Sequence, residues 1–416
     1  MMSQSDELSL ESHEYGAPRS GDTSALRLRG ESMFRRGMWG SALRYFEAVR
    51  AVETAFNPLV VYRMAVCCSR LNRTEEAERY FRQALSEDSM PQVHRDYAYH
   101  LLLNGRFEQG WVHYRRGRGA EPFVVPMSLS ATQTRWDGHY RPGSVLEIVC
   151  ESRISEQILF AAFFPELLVR AREAGMRVVV SCHSTLVRLF QSSFREATVV
   201  TRELYGGQLH ELPIGSAGRQ WMKARQSDLP GYLPQPKRSA YLRPSVDDVG
   251  KVRSLLRGEP AGLRVGLVGA RGNREVCLES GLSALSVVRA QLCRMPRAIR
   301  VFELTPGREG TGWLSDAVDR LGRELLDMSS VAALMQEMDV VVGVESPEMN
   351  VSGALGCETR VLLGKHAEWH WGKEGEECGW YPHAKGYRDW PAGSGSSPVE
   401  QLLTELEEMS VAAASE

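Results

Sequence analysis

The residues best placed to do chemistry lie in Met338–Lys365. An unbroken apolar run, Val340–Val344, turns through Glu345-Ser346-Pro347 into a short segment that ends at Gly356. A second apolar run, Thr359–Leu363, follows. Apolar residues without alternation imply a strand buried on both faces, and so a parallel sheet. Ser346 offers an N-cap oxygen, Pro347 is preset for the first helical position, and Gly356 suits a helix stop. The stretch therefore reads strand, turn, helix, strand. Such a turn aims backbone N–H groups at the carboxyl edge of the sheet, where anions and other ligands bind. Arg271 and Arg274 stand on a glycine-rich loop after another apolar run, Leu263–Val268, and Lys365 follows the next strand end. All three can point at the same edge. The Ser346 hydroxyl and the Asn350 amide can donate to a ligand oxygen, and Glu345 either accepts from a ligand hydroxyl or closes the turn. Glu348 opposes an anion. At about 4 Å the repulsion is roughly 1 kcal/mol in water and several times that in a dry cleft, so it faces away or the anion is not a diphosphate.

The 416 residues allow two or three domains, and 43% hydrophobic with 25% charged residues suits a folded chain. A net charge of −2 argues against nucleic-acid binding by bulk charge. No apolar run approaches the roughly 18 residues of a membrane span. Residues 1–16 are polar and acidic, unlike a secretory signal, so a cytoplasmic location is expected. The eight cysteines form no C-x-x-C pair and no zinc-type spacing, which fits free thiols. His366 and His370 are four residues apart, but their Trp-rich loop suits packing better than a metal. The cluster Trp369, His370, Trp371, Trp380 and Tyr381 either stacks on a flat ligand ring or forms core.

Residues 1–22 read as a disordered tail. From 23 to 120 the chain repeats. Small residues at Ala42, Ala77 and Gly110, and aromatics at Phe46, Phe81 and Tyr114, recur at intervals of 35 and 33 residues. A small residue with an aromatic one turn later, repeated near this period, is the tetratricopeptide pattern, here three helix pairs. Such arrays present a curved surface to an extended peptide, or serve as a spacer or dimer surface. Residues 121–142 read as a linker. Alternating strands and helices then suggest two α/β domains, 143–246 and 247–416, with a final amphipathic helix over Pro398–Met409 and a cleft between them suited to a donor and an acceptor.

Several landmarks occur in one order: Phe107-Glu108-Gln109-Gly110-Trp111, Arg135-Trp136-Asp137-Gly138, Glu156–Ala161, Leu212–Ser216, Val265–Val268, Asp339–Gly356, and Trp369-His370-Trp371 through Tyr381-Pro382. From about Leu26 to Trp390 the chain resembles bacterial tetratricopeptide-repeat proteins joined to a heptosyltransferase-like module of glycosyltransferase family 9 type. The resemblance implies an all-α repeat array before a GT-B pair of facing Rossmann-like domains. It implies sugar transfer from a nucleotide-sugar donor to a protein acceptor held by the repeats, with flagellin or another surface protein among the acceptors. It also implies Glu156 as the base, at the family's Asp position. Backbone amides and cations would neutralise the leaving group, so neither metal nor cofactor is expected. The chain departs from the family where Arg153-Ile154-Ser155-Glu156 replaces Gly-Leu-Gly-Asp, where Asn350 replaces a His, and where Glu345-Ser346 replaces Asp-Thr. These departures leave open an inactive GT-B scaffold whose repeats bind proteins.

Overall fold

The structure, a computed structural model, describes residues 23–53, 55–85, 90–117, 129, 133–150, 153–202, 220–269, 284–295, 299–304, 327–364, 367–373, 377–388 and 397–413. It divides into two compact units, Met1–Pro122 and Phe123–Glu416.

The described part of the first unit is helical: α1 (Thr23–Arg35), α2 (Trp39–Val52), α3 (Pro58–Arg70), α4 (Thr74–Ala84), α5 (Pro91–Leu103) and α6 (Phe107–Gly117). Consecutive helices pack in pairs, α1 on α2, α3 on α4 and α5 on α6. Ala42, Ala77 and Gly110 are buried, as are Phe46, Phe81 and Tyr114. Polar ties join successive pairs: Arg63 Nε donates to Glu31 at 2.8 Å, the Tyr62 hydroxyl to Asp96 at 2.6 Å, and Ser69 Oγ lies 2.8 Å from His100 Nδ1. Their partners are separated by about the same stretch of sequence as the small and aromatic positions.

The second unit contains two five-stranded sheets, and every paired strand in each is parallel. The first sheet is built from β1 (Gln133–Arg135), β2 (Val145–Val149), β3 (Arg177–Cys182), β4 (Ala197–Thr201) and β5 (Trp221–Arg225), in the order β1-β5-β2-β3-β4. Its helices are α7 (Ile154–Phe160), α8 (Phe164–Glu173) and α9 (Val187–Ser193). The chain then passes through α10 (Val246–Leu255) to the second sheet: β6 (Leu263–Val268), β7 (Ile299–Glu303), β8 (Val340–Val344), β9 (Thr359–Leu362) and β10 (Ala384–Tyr387), in the order β10-β9-β8-β6-β7. Around it lie α11 (Ala284–Leu292), α12 (Met328–Met335), α13 (Pro347–Leu355) and α14 (Pro398–Ala413). Every residue of β2 and β8 is buried; the unbroken apolar sequence of β8 requires it, whereas β2 carries Glu147 among its apolar residues.

Strand β5 falls within Gly206–Pro244, a stretch that the sequence reads as loop-rich because it holds Pro213, Pro230, Pro234, Pro236 and Pro244. The strand carries Lys223, a charge in the interior of the sheet. It stands opposite Glu147 of β2, 3.4 Å from Nζ to Oε2, with both residues 9% exposed. Pairing makes that burial tolerable. Among the described residues no helix is long and apolar enough to cross a membrane.

The amphipathic pattern of the last helix is realised by Val399, Leu402 and Leu406, which enter the core over β6 and β8. On the same helix Glu405 accepts from Arg360 of β9 at 2.7 Å and from Lys385 of β10 at 2.9 Å, and from the Tyr387 hydroxyl. Burial alone would raise the Glu405 carboxyl, but the Tyr387, Lys385 and Arg360 donors outweigh it and hold the group at about 2 against an ordinary 4.5. A carboxyl lowered by folding contributes stability above its unfolded value, and that contribution is lost as pH falls. Glu405→Gln should therefore cost about 2 kcal/mol at neutral pH. It should also flatten the loss of stability that the parent shows between pH 4.5 and pH 2. Urea titrations across that range check both effects.

Candidate functional site

On the second sheet the site begins where β8 ends. Ser346 takes an extended backbone, φ −158° and ψ 166°, and its hydroxyl accepts from Met349 N at 3.3 Å. Pro347 brings no N–H, and the Asn350 amide goes to Ser346 O at 3.3 Å. Among the described residues, Glu348 N–H is then the amide of this first turn left for a ligand. The helix stops at Gly356, whose φ of +75° suits a residue without a Cβ. Asn350 is 1% exposed and turned inward. Its amide nitrogen donates to Ser346 O at 3.1 Å, and its carbonyl accepts from the Tyr381 hydroxyl at 2.9 Å. Burial, then the neighbouring Tyr241 hydroxyl, push Tyr381 well above the ordinary phenol value, so it stays a donor. The Tyr381 ring lies so close to Gly353 that a Cβ there would sit 2.5 Å from it. Residue 350 thus fixes the start of α13 through a polar contact inside the lobe.

On the first sheet the corresponding strand end leads to α7, which carries Glu156 in its first turn. Gln157 anchors this helix: its side-chain oxygen accepts from His183 N at 3.0 Å, and its carbonyl accepts from Gln226 at 2.8 Å. Helices α7 and α13, which follow the turns singled out in the sequence, pack against each other, so the two halves meet there. The connecting segment joins them. Tyr241 N and Leu242 N both donate to Ala354 O of α13, at 2.9 and 3.1 Å, while the Tyr241 hydroxyl donates to Ile158 O of α7 at 3.0 Å. Further out, Arg188 of α9 donates twice to Asp248, at 2.7 and 2.8 Å, and once to Asp327, the cap of α12, at 2.6 Å. Burial would raise Asp248, but bonds from Ser329, Ser245 and Arg188 outweigh it and hold the carboxyl below its ordinary value.

A charged cluster spans the junction. Arg153 Nη2 lies 3.6 Å from Glu156 Oε1 on its own lobe and 3.6 Å from Glu368 Oε1 on the other. Glu368 N donates to Glu345 Oε1 at 3.0 Å, which places Glu368 beside the Ser346 turn. His370 is 2% exposed, with Nδ1 3.8 Å from Glu368 Oε2 and no hydrogen bond to either ring nitrogen. Burial, against the pull of Glu368, holds the imidazole down to about 4, so it is neutral at neutral pH. Trp369, Trp371 and Tyr381 surround it, and the aromatic cluster is largely buried.

Of the residues singled out in the sequence, the structure brings Glu156, Glu345, Ser346 and Asn350 to this junction. Glu348 is 5% exposed in the same first turn. Arg271, Arg274 and Lys365 lie outside the described residues, as do the interdomain loop Leu212–Ser216 and residues 1–22. Among the described residues no group of three or more His, Cys, Asp or Glu is arranged to hold a metal. Sequence reasoning missed Glu368 and Tyr241, whose partners are remote in the chain. Arg153 was visible only as a replaced glycine, although an Arg–Glu pair three apart at a helix start is a legible signal.

Two parallel-sheet α/β lobes with their strand-end turns facing one junction fit a GT-B-like glycosyltransferase fold. No protein-family model matches the chain. Protein FlbA of Caulobacter vibrioides is 25% identical over 309 residues, covering 68% of this chain and 50% of that protein. The chain thus spans about half the length of this curated relative. Among solved structures, the glycosyl transferase family 9 protein from Veillonella parvula aligns with 66% of this chain and 99% of its own, at 10% identity and TM-score 0.43. The ADP-heptose lipopolysaccharide heptosyltransferase II of Escherichia coli aligns with 64% and 98%, at 12% identity and TM-score 0.41.

The role of Tyr381 can be tested directly. Tyr381→Phe leaves the Asn350 carbonyl without its donor, and an unsatisfied buried acceptor costs about 1–3 kcal/mol. Equilibrium denaturation should show that loss, and a change within about 0.5 kcal/mol would mean that the Asn350 contact is not holding the turn.

Proposed function

We propose that this protein is a glycosyltransferase that moves a sugar from a nucleotide-sugar donor to a protein acceptor, without a metal. The observation that carries the proposal is the meeting of α7 and α13 across the two lobes. Glu156 is linked toward the Ser346 turn through Arg153 and Glu368, whose backbone N donates to Glu345, and this supports the reading. Transfer needs a leaving diphosphate to be stabilised and an acceptor proton removed. Glu156 is the proposed base. The Ser346 hydroxyl, Glu348 N–H and the cations Arg271, Arg274 and Lys365 are the proposed donor contacts, with Glu345 toward a sugar hydroxyl and Asn350 holding the turn. The lobes are taken as 143–246 for the acceptor side and 247–416 for the donor side. Residues 23–120 are taken as three tetratricopeptide pairs that hold the acceptor. The buried small and aromatic positions and the recurrent ties between pairs support that assignment. A surface protein such as flagellin is the acceptor class that the family resemblance suggests.

One observation favours a second function, a scaffold without catalysis. The first turn of α13 engages its own amides at Met349 and Asn350, and the described junction carries more carboxylates than cations. Thermal-shift titration with a panel of nucleotides and nucleotide sugars separates the two. A donor at about 100 times its Kd should raise the midpoint by about 3–4 °C. Arg271→Ala with Arg274→Ala should abolish the rise, and Glu156→Gln should stop transfer while leaving it intact. No response across the panel, with a protein partner still captured by the chain, would favour the scaffold.

A further inference from the structure

Resting on the assignment of the junction as a diphosphate site, we infer that Arg153 is its exchangeable cation and that Glu368 occupies it when no ligand is bound. Arg153 stands between carboxylates of both lobes, and both separations are 3.6 Å. Charge-assisted hydrogen bonds close to about 2.7–2.9 Å. Both contacts are therefore ion pairs without a tight bond, and the Arg153 side chain keeps 37% of its exposure. Such pairs are weak in water and can be exchanged.

The second observation concerns where Glu368 goes. Its other carboxylate oxygen lies 3.8 Å from His370 Nδ1, and neither nitrogen of that buried ring has a hydrogen-bond partner. A neutral imidazole retains one N–H. His370 thus provides a donor that the present arrangement leaves unused, in reach of the carboxylate that Arg153 would release. Glu368 N is meanwhile held by Glu345, the residue before the Ser346 cap. An anion seated at that cap stands beside the Arg153–Glu368 pair. Its diphosphate, with two negative charges, outcompetes one carboxylate for a planar guanidinium, which binds phosphate bidentately. Arg153 turns to the ligand, Glu368 turns to His370, and the tie between lobes passes from protein to ligand. Two carboxylates beside one guanidinium otherwise make this place hostile to a diphosphate, so Arg153 decides whether one binds.

The test is calorimetric titration of the full chain with inorganic pyrophosphate, UDP, ADP and GDP at low salt, for the parent, R153A, R153K, E368Q and R153A/E368Q. Far-ultraviolet circular dichroism of each variant checks its fold. Glu368→Gln should tighten binding by about fivefold, because it removes the competitor. R153A should weaken binding about tenfold or more, R153K should recover part, and the gain from E368Q should vanish when Arg153 is absent. A parent that binds nothing while E368Q binds also supports the inference. It is overturned if E368Q binds no tighter than the parent, or keeps its gain without Arg153, since simple removal of a negative charge would then explain it. Binding by the parent that R153A leaves unchanged removes this inference alone. Failure of both parent and E368Q with every probe removes the diphosphate site as well.

Discussion

The backbone of Tyr241 and Leu242 sets the relation between the two sheets. Two strand-end turns make one site only if their lobes keep a fixed distance. Here one carbonyl at the end of α13 receives two amides from the connecting segment, while the Tyr241 hydroxyl reaches a carbonyl of α7. Main-chain groups on both helices are thus tied to a single residue. Burial raises the Tyr241 hydroxyl far above any physiological pH, so this tie does not titrate. Arg188, Asp248 and Asp327 add a second tie further out. The packing of α7 on α13 is held by these contacts.

Within that frame the electrostatics are asymmetric. Inner polar groups are satisfied at hydrogen-bond distance: Asn350 by Ser346 and Tyr381, Ser352 by Thr359, and Gln157 by His183. At the junction itself, Arg153, Glu368 and His370 stand at 3.6 to 3.8 Å. The first set is held at hydrogen-bond distance, while the Arg153 contacts to Glu156 and Glu368 are longer ion pairs. Neutral, buried His370 adds no charge to a place already rich in carboxylates.

Much of the frame was legible in the sequence. Val340–Val344 could only be a doubly covered strand, and Ser346-Pro347 with Gly356 bounded the helix as the structure has it. The amphipathic end of the chain was legible for the same reason, periodic apolar spacing. Strand β5 was not, because the prolines on either side of it read as loop and the partner of its Lys223 lies across the sheet. Asn350 was legible as a hydrogen-bonding group, but its direction is set by Tyr381, a neighbour that only the fold brings near. Glu368 escaped for the same reason, while Arg153 was overlooked despite its local pair with Glu156. Local pattern reports the chain's own geometry, and cross-lobe contacts leave no local pattern.

The Glu147–Lys223 pair has a consequence for assembly. The two residues face each other on neighbouring strands, nearly out of water. Sliding either strand by one position would send both side chains to opposite faces and strand two opposite charges apart. An aliphatic pair would tolerate such an error more cheaply. The pair therefore works as a proof-reading mark: a first sheet in the wrong register carries the cost of two separated buried charges.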